Sequence, residues 1–269
     1  MKTVNGYEII QLFEEWSPKK LAMEGDPIGL HIGQLNRKVE KVLVTLDVNE
    51  AIIDEAINRG ANLIIAHHPP LFRPVKHIWT DTAQGRMIEK CMKNDVSVYA
   101  AHTNLDIANG GVNDMLAEKL ELTQVKILEQ TITDADDVFG IGRVGSLKSE
   151  LTLEEFAHVV KKKLDVPAVR IVGDRNRKIK KVGVLGGDGN KYIYAAKRAG
   201  ADVLVTGDLY YHVAQDAEAL DLCVIDPGHN VEKVMIQGVA EKMSSLCEAR
   251  QYNVTFLQSE LSTEPFTFI

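Results

Sequence analysis

Cysteine is scarce in this 269-residue chain: Cys91, Cys223 and Cys247 stand far apart, with no C-x-x-C among them. That number and spacing suggest neither a disulfide framework nor a thiolate zinc site, and the three are expected as buried thiols. No apolar run approaches the roughly 20 residues that cross a bilayer. The opening stretch MKTVNGYEIIQLFEEW is too acidic and interrupted for a signal peptide, so a cytoplasmic protein without membrane contact is expected. Basic excess is absent too. A net charge of −7 argues against a general nucleic-acid-binding surface. A low-complexity linker is also missing, although 45% apolar composition suffices for two cores of about 100–150 residues each.

What is present is a repeated strand-helix-strand grammar. Val42–Leu46 is a short β-branched run, Asn49 to Arg59 has helical spacing, Gly60 stops that helix, and Leu63–Ile65 starts another buried strand. A helix over about Gln84–Lys93, a strand Val96–Ala100 and a helix Val112–Leu120 continue it. The grammar returns with Lys181–Leu185, Lys191–Arg198, Gly200 and Asp202–Val205. At an offset of 140 positions, Val42, Val44, Ile53, Ala56, Gly60 and Ala61 meet identical residues at Val182, Val184, Ile193, Ala196, Gly200 and Ala201. The expectation is an α/β protein of two similar α/β domains from an internal duplication, with mostly parallel strands covered by helices.

The polar, acidic stretch within Glu129–Gly145, including Thr133-Asp134-Ala135-Asp136-Asp137, is taken as the junction, giving halves 1–128 and 129–269. The second half should hold a helix Leu153–Leu164, a strand Ala168–Val172 and a helix from about His229 to Leu246. That last helix is expected to pack back on the first half.

Open α/β sheets bind ligands beyond the carboxyl ends of their strands. There the sequence places IIAHHPPLF (Ile64–Phe72), with His67 and His68 stopped by two prolines, then His102 and Asp106, and finally His229 and Glu232. Imidazoles and carboxylates without thiolates are a ligand set for zinc, iron, manganese or nickel. Successive side chains on a strand face opposite ways, so His67 and His68 are expected to serve a different ion each unless the chain turns there. Each residue also has a plainer role open to it. His102 could satisfy backbone groups in a turn or orient a ligand from behind. Asp106 could start a turn, and Glu232 could answer a helix dipole. Asp208 and His212, with His102, are candidates for proton transfer. The run Gly186-Gly187-Asp188-Gly189-Asn190 could cradle an anion or form a tight turn, and Asp26–His31 reads as a turn into an extended segment.

The order IIAHHPPLF, AHTNLD, GGVNDMLAEKL, TGDLYYH and DPGHNVEK resembles the Nif-three-like family, whose members carry the label GTP cyclohydrolase I type 2 homologue. The resemblance covers nearly the whole chain. It implies two similar α/β domains, a pair of divalent metals in the cleft between them and a homohexameric ring. The ligands it implies are His67 and His68 from HHP, Asp106 from HTNLD, and His229 and Glu232 from the late segment. Two departures stand out: the late glutamate follows its histidine by three residues where several members have four, and this chain is too short to hold the insertion that some members carry between the halves.

Together these readings lead to a dinuclear metal-dependent hydrolase, binding two divalent ions per subunit (zinc, iron or manganese) and acting on a nucleotide-like heterocycle or phosphoester. A non-enzymatic ring serving metal-dependent regulation or scaffolding is the rival.

Overall fold

A computed structural model describes residues 2–134 and 137–269, so Ala135 and Asp136 of the anticipated junction lie outside the described residues. The chain divides into two compact units, Met1–Ala108 with Met235–Thr263, and Asn109–Val234 with Glu264–Ile269. The division thus falls after Ala108 where the sequence reading put it after residue 128, and the late helix Val234–Ala249 lies almost wholly within the first unit.

The first unit is built on a five-stranded sheet in the order Thr255–Gln258, Lys41–Thr45, Leu63–Ala66, Ser97–Ala100, Gly29–Ile32. Its first four strands are parallel and Gly29–Ile32 is antiparallel. Leu63–Ala66 is buried on both faces, which is why it reads as a continuous apolar run. Helix Glu50–Arg59 starts where Asn49 Oδ1 accepts the Ile52 amide at 3.0 Å and ends at Gly60, whose φ of 75° a side chain would disfavour. Its Ile52, Ile53 and Ala56 pack with Leu43, Ile64, Ile88, Cys91 and Val98 in one core. Full burial of each such aliphatic side chain contributes about 1.5–3 kcal/mol.

The second unit carries a six-stranded sheet in the order Thr123–Asp134, Asp137–Thr152, Lys178–Asp188, Val203–Gly207, Cys223–Asp226, Arg170–Val172. Only the pairings of Val203–Gly207 with Lys178–Asp188 and with Cys223–Asp226 are parallel; the rest are antiparallel. The expectation of mostly parallel strands is therefore corrected to mixed sheets. Its cause is the long ribbon Thr123–Asp134 with Asp137–Thr152, whose first strand exposes most of its residues and so reads as a polar junction. Helix Leu153–Lys163 follows with a capping box, Thr152 Oγ1 accepting the Glu155 amide while Glu155 Oε2 accepts the Thr152 amide.

All three cysteines are buried and unbridged. Burial pushes the Cys91 and Cys247 thiols up to about 11, so both are protonated near neutral pH.

Arg143 is 3% exposed and joins the ribbon to helix Val112–Lys119 through two bonds to Asp114, at 2.6 and 2.7 Å, and two to the carbonyls of Gly140 and Gly142. Asp114 Oδ2 also accepts the Gly110 amide at 2.7 Å. Much of the GGVND stretch thus has a structural role. Asp114→Asn leaves the guanidinium buried beside a neutral amide, and a loss of about 3 kcal/mol is expected from the denaturant midpoint at unchanged slope.

Candidate metal centre

In the first unit the site grows from the carboxyl ends of three neighbouring parallel strands. Thr45 pairs with Ala66 and Ala66 with Ala100, so Asp47, His67-His68 and Ala101-His102 all follow directly on adjacent strand ends. The strand stops at Ala66 and the chain bends at His67 and His68, whose amides donate to Leu46 O at 3.2 and 2.9 Å. The two imidazoles therefore do not face apart. Their rings lie 5.0 Å from each other and 5.3 and 5.8 Å from the ring of His102. One ligand atom from each of the three falls within 4.8 Å of the others. Expecting one ion for each adjacent histidine assumed a strand running on past Ala66, and the bend removes that assumption.

Each imidazole is held from behind. His67 Nδ1 lies 2.8 Å from the Ala101 carbonyl, His68 Nδ1 2.7 Å from Asp47 Oδ1 and His102 Nδ1 2.8 Å from Asp26 Oδ1. A carbonyl or carboxylate can only accept, which places the proton on Nδ1 and leaves the Nε2 lone pair as the ligand atom in the neutral ring. His67 is fully buried, and its Nε2 lies 3.5 Å from Oδ1 of the buried Asp106. Asp106 sits on the short helix Thr103–Ile107, whose Asp106 amide donates to His102 O at 3.1 Å.

Asp26 is nearly enclosed. Burial opposes its ionisation, but the hydrogen bond with His102 and those from the Thr103 hydroxyl and amide together outweigh burial and hold its carboxyl below the usual range.

In the second unit, strand Cys223–Asp226 leads through Pro227 and Gly228 into a 3-10 turn His229–Lys233, and only then into the helix Val234–Ala249. The single helix expected from His229 is thus two pieces. In a 3-10 turn residues three apart eclipse, and this sets His229 Nε2 3.1 Å from Oε2 of the buried Glu232. The three-residue spacing is the geometry of that turn. Oδ2 of Asp208 holds His229 Nδ1 at 2.7 Å, the same support as in the first unit.

The glycine run beside this pair makes room for it. A Cβ on Gly186 or Gly187 would stand 2.9 or 2.8 Å from Glu232 Oε1, and Gly187 has φ +64°. Asn190 ties the run to the Asp208 loop, its Nδ2 donating to Asp208 O at 2.9 Å.

His102 therefore stands among the ligand-capable nitrogens, and Asp208 behind one of them. His212 is exposed on helix Tyr211–Ala219 and bonds Gln215 at 3.1 Å; among the described residues it joins no ligand group. Sequence reasoning missed Asp26 and Asp47. Asp47 had a usable signal, its place just past the end of the strand beside His67; Asp26 had none, because it acts across 76 positions.

Removing a carboxylate behind a ligand histidine typically costs 10–100-fold in metal affinity. Asp47→Ala and Asp26→Ala are each expected to weaken zinc binding by about that factor in competition with a chromophoric chelator, and His212→Ala to leave it unchanged.

Comparison with known proteins places this geometry in a family. Residues 4–265 match Duf34/NIF3 (NGG1p interacting factor 3). A Bacillus subtilis relative called GTP cyclohydrolase 1 type 2 homolog is 44% identical over an alignment of 371 positions that spans all of both chains. A Streptococcus pneumoniae relative of the same name is 36% identical over 266, covering 97% of this chain and 98% of its own. The crystal structure of a Bacillus cereus protein related to NIF3 superposes with a TM-score of 0.97 at 42% identity over the whole of both chains. Reduced HcgD from Methanocaldococcus jannaschii gives 0.78 at 32%, covering 97% of this chain and all of that one. The chain belongs to the Duf34/NIF3 family.

Proposed function

We propose that the chain is a metal-dependent hydrolase that binds two divalent ions (zinc, iron or manganese) and acts on a nucleotide-like heterocycle or phosphoester. The observation that carries this reading is that the four candidate ligand histidines, His67, His68, His102 and His229, each have Nδ1 against a carbonyl or carboxylate oxygen. Support of that kind fixes the tautomer and the ring direction that a metal ligand needs. Asp106 in the first unit and Glu232 in the second would add carboxylate oxygens to these nitrogens.

A bound divalent ion supplies Lewis acidity and can bring the pKa of water from ~15.7 down to about 7. The chain's part is to hold the imidazoles in one tautomer, to present the buried carboxylates of Asp106 and Glu232 as further oxygen donors, and to orient what binds. Asp47, Asp26 and Asp208 also stabilise positive charge that ligation places on the rings behind which they sit. The substrate class follows the label GTP cyclohydrolase 1 type 2 homolog borne by the relatives. On the family resemblance we take the protein to be a homohexameric ring; we also take it to be cytoplasmic, and the six identities at an offset of 140 positions to record an internal duplication. Among the described residues no helix is long and apolar enough to cross a membrane.

Purified, metal-reconstituted protein screened against nucleotides and phosphoesters is expected to turn over at least one of them, with Glu232→Ala and His67→Ala reduced to background. Equal activity in wild type and variants would contradict the proposal. Full metal occupancy without turnover of any compound would favour a regulatory or scaffolding role.

A further inference from the structure

The segment after the two histidines, Leu71–Trp79, has no part in holding the imidazoles, yet it exposes large aromatic surface. Phe72 is 63% and Trp79 64% exposed. The backbone beneath them is fixed at both ends. Leu71 packs against the core of the first unit. At the other end the Trp79 carbonyl accepts the Thr82 amide and hydroxyl, at 3.1 and 2.8 Å. It also lies so close to Gly85 that a Cβ there would stand 1.8 Å from it. Only glycine at position 85 permits that approach. A held backbone presenting exposed rings has the form of a binding surface, because ordering it for a ligand costs little further entropy.

The chemistry of the surface narrows the ligand. The Phe72 ring stands 6.5 Å from that of His102 and nearly perpendicular to it, so this exposed ring lies beside the candidate metal centre. His77 already covers one face of Trp79, stacked at 5.5 Å and 6°, and leaves the other to solvent. Between the aromatics stand Arg73 and Lys76, exposed, in a chain of net charge −7, and neither enters an ion pair among the described residues. Open π-faces bind flat rings and uncommitted cations bind anions.

We propose that Leu71–Trp79 is a nucleotide-binding wall, with Phe72 stacking a base and Arg73 and Lys76 taking its phosphate. This deepens the metal-centre reading, on which it rests only for which part of the ligand meets the ions.

The test is calorimetric titration of GMP, ribose 5-phosphate and guanosine into the full-length protein, with metal content measured on the same samples. Wild type should bind GMP more tightly than either fragment. Phe72→Ala should weaken GMP roughly tenfold while leaving ribose 5-phosphate unchanged, in keeping with stacking measured by alanine substitution. Arg73→Ala with Lys76→Ala should instead weaken both GMP and ribose 5-phosphate and spare guanosine. All these side chains are exposed, so circular dichroism should match wild type. Normal metal content with no GMP binding, or variants that bind GMP as wild type does, would overturn the wall and leave the metal centre standing. Lost metal with intact GMP binding would do the opposite. A single-stranded oligonucleotide binding more tightly than GMP, or a Phe72→Ala variant that changes only sedimentation, would also overturn it, assigning the surface to nucleic acid or to self-association.

Discussion

The bond between an imidazole Nδ1–H and an oxygen fixed by the fold is the interaction on which the candidate site depends. A histidine free to rotate offers two nitrogens in many directions; one tied at Nδ1 offers a single lone pair in one direction. In the first unit strand register decides whether those bonds form. Because Ala66 pairs with Ala100, the chain leaving one strand as His67 meets the Ala101 carbonyl of the next. Because Thr45 pairs with Ala66, Asp47 arrives beside His68. A slip of one residue would turn alternate side chains to the other face and break both arrangements at once. The apolar strands Lys41–Thr45, Leu63–Ala66 and Ser97–Ala100, almost fully buried, hold that register.

The second unit reaches the same support by other means. Its histidine rides on a 3-10 turn, and the carboxylate behind it comes from Asp208, a non-glycine residue at φ +55° just past the strand Val203–Gly207. The adjoining loops are fixed by Asp226, whose carboxylate accepts the amides of Leu209 and Gly228 at 3.0 and 2.8 Å. Room for the Glu232 carboxylate comes from glycines at 186 and 187, where any side chain would intrude. Stability and site thus draw on the same few polar residues, which is why changes behind the ligands should be felt in metal binding.

What the sequence made legible was whatever leaves a periodic or local signature. Ile64-Ile65 announced a doubly buried strand, Asn49 and Gly60 bracketed a helix, and HHPP marked an abrupt strand end. The ribbon Thr123–Asp134 with Asp137–Thr152 left little trace, because an exposed first strand lacks the apolar alternation that burial imposes, and the sheets were expected to be more parallel than they are. Within the site the ligand-type residues were visible by type and by place beyond strand ends. Their mutual orientation was not: whether His67 and His68 share a side depends on a bend at Ala66, and the role of Asp26 on a contact 76 positions away. Glu232 at three residues from His229 looked like a departure until the 3-10 turn gave that spacing a geometry.

We propose that imidazole Nε2 atoms and carboxylates, with no thiolate, form the metal site. X-ray absorption on the zinc-loaded protein tests it most directly. The expected result is nitrogen and oxygen neighbours at about 2.0–2.2 Å with the outer-shell scattering of imidazole rings. Sulfur at about 2.3 Å, or a protein that retains no metal after desalting, would contradict it.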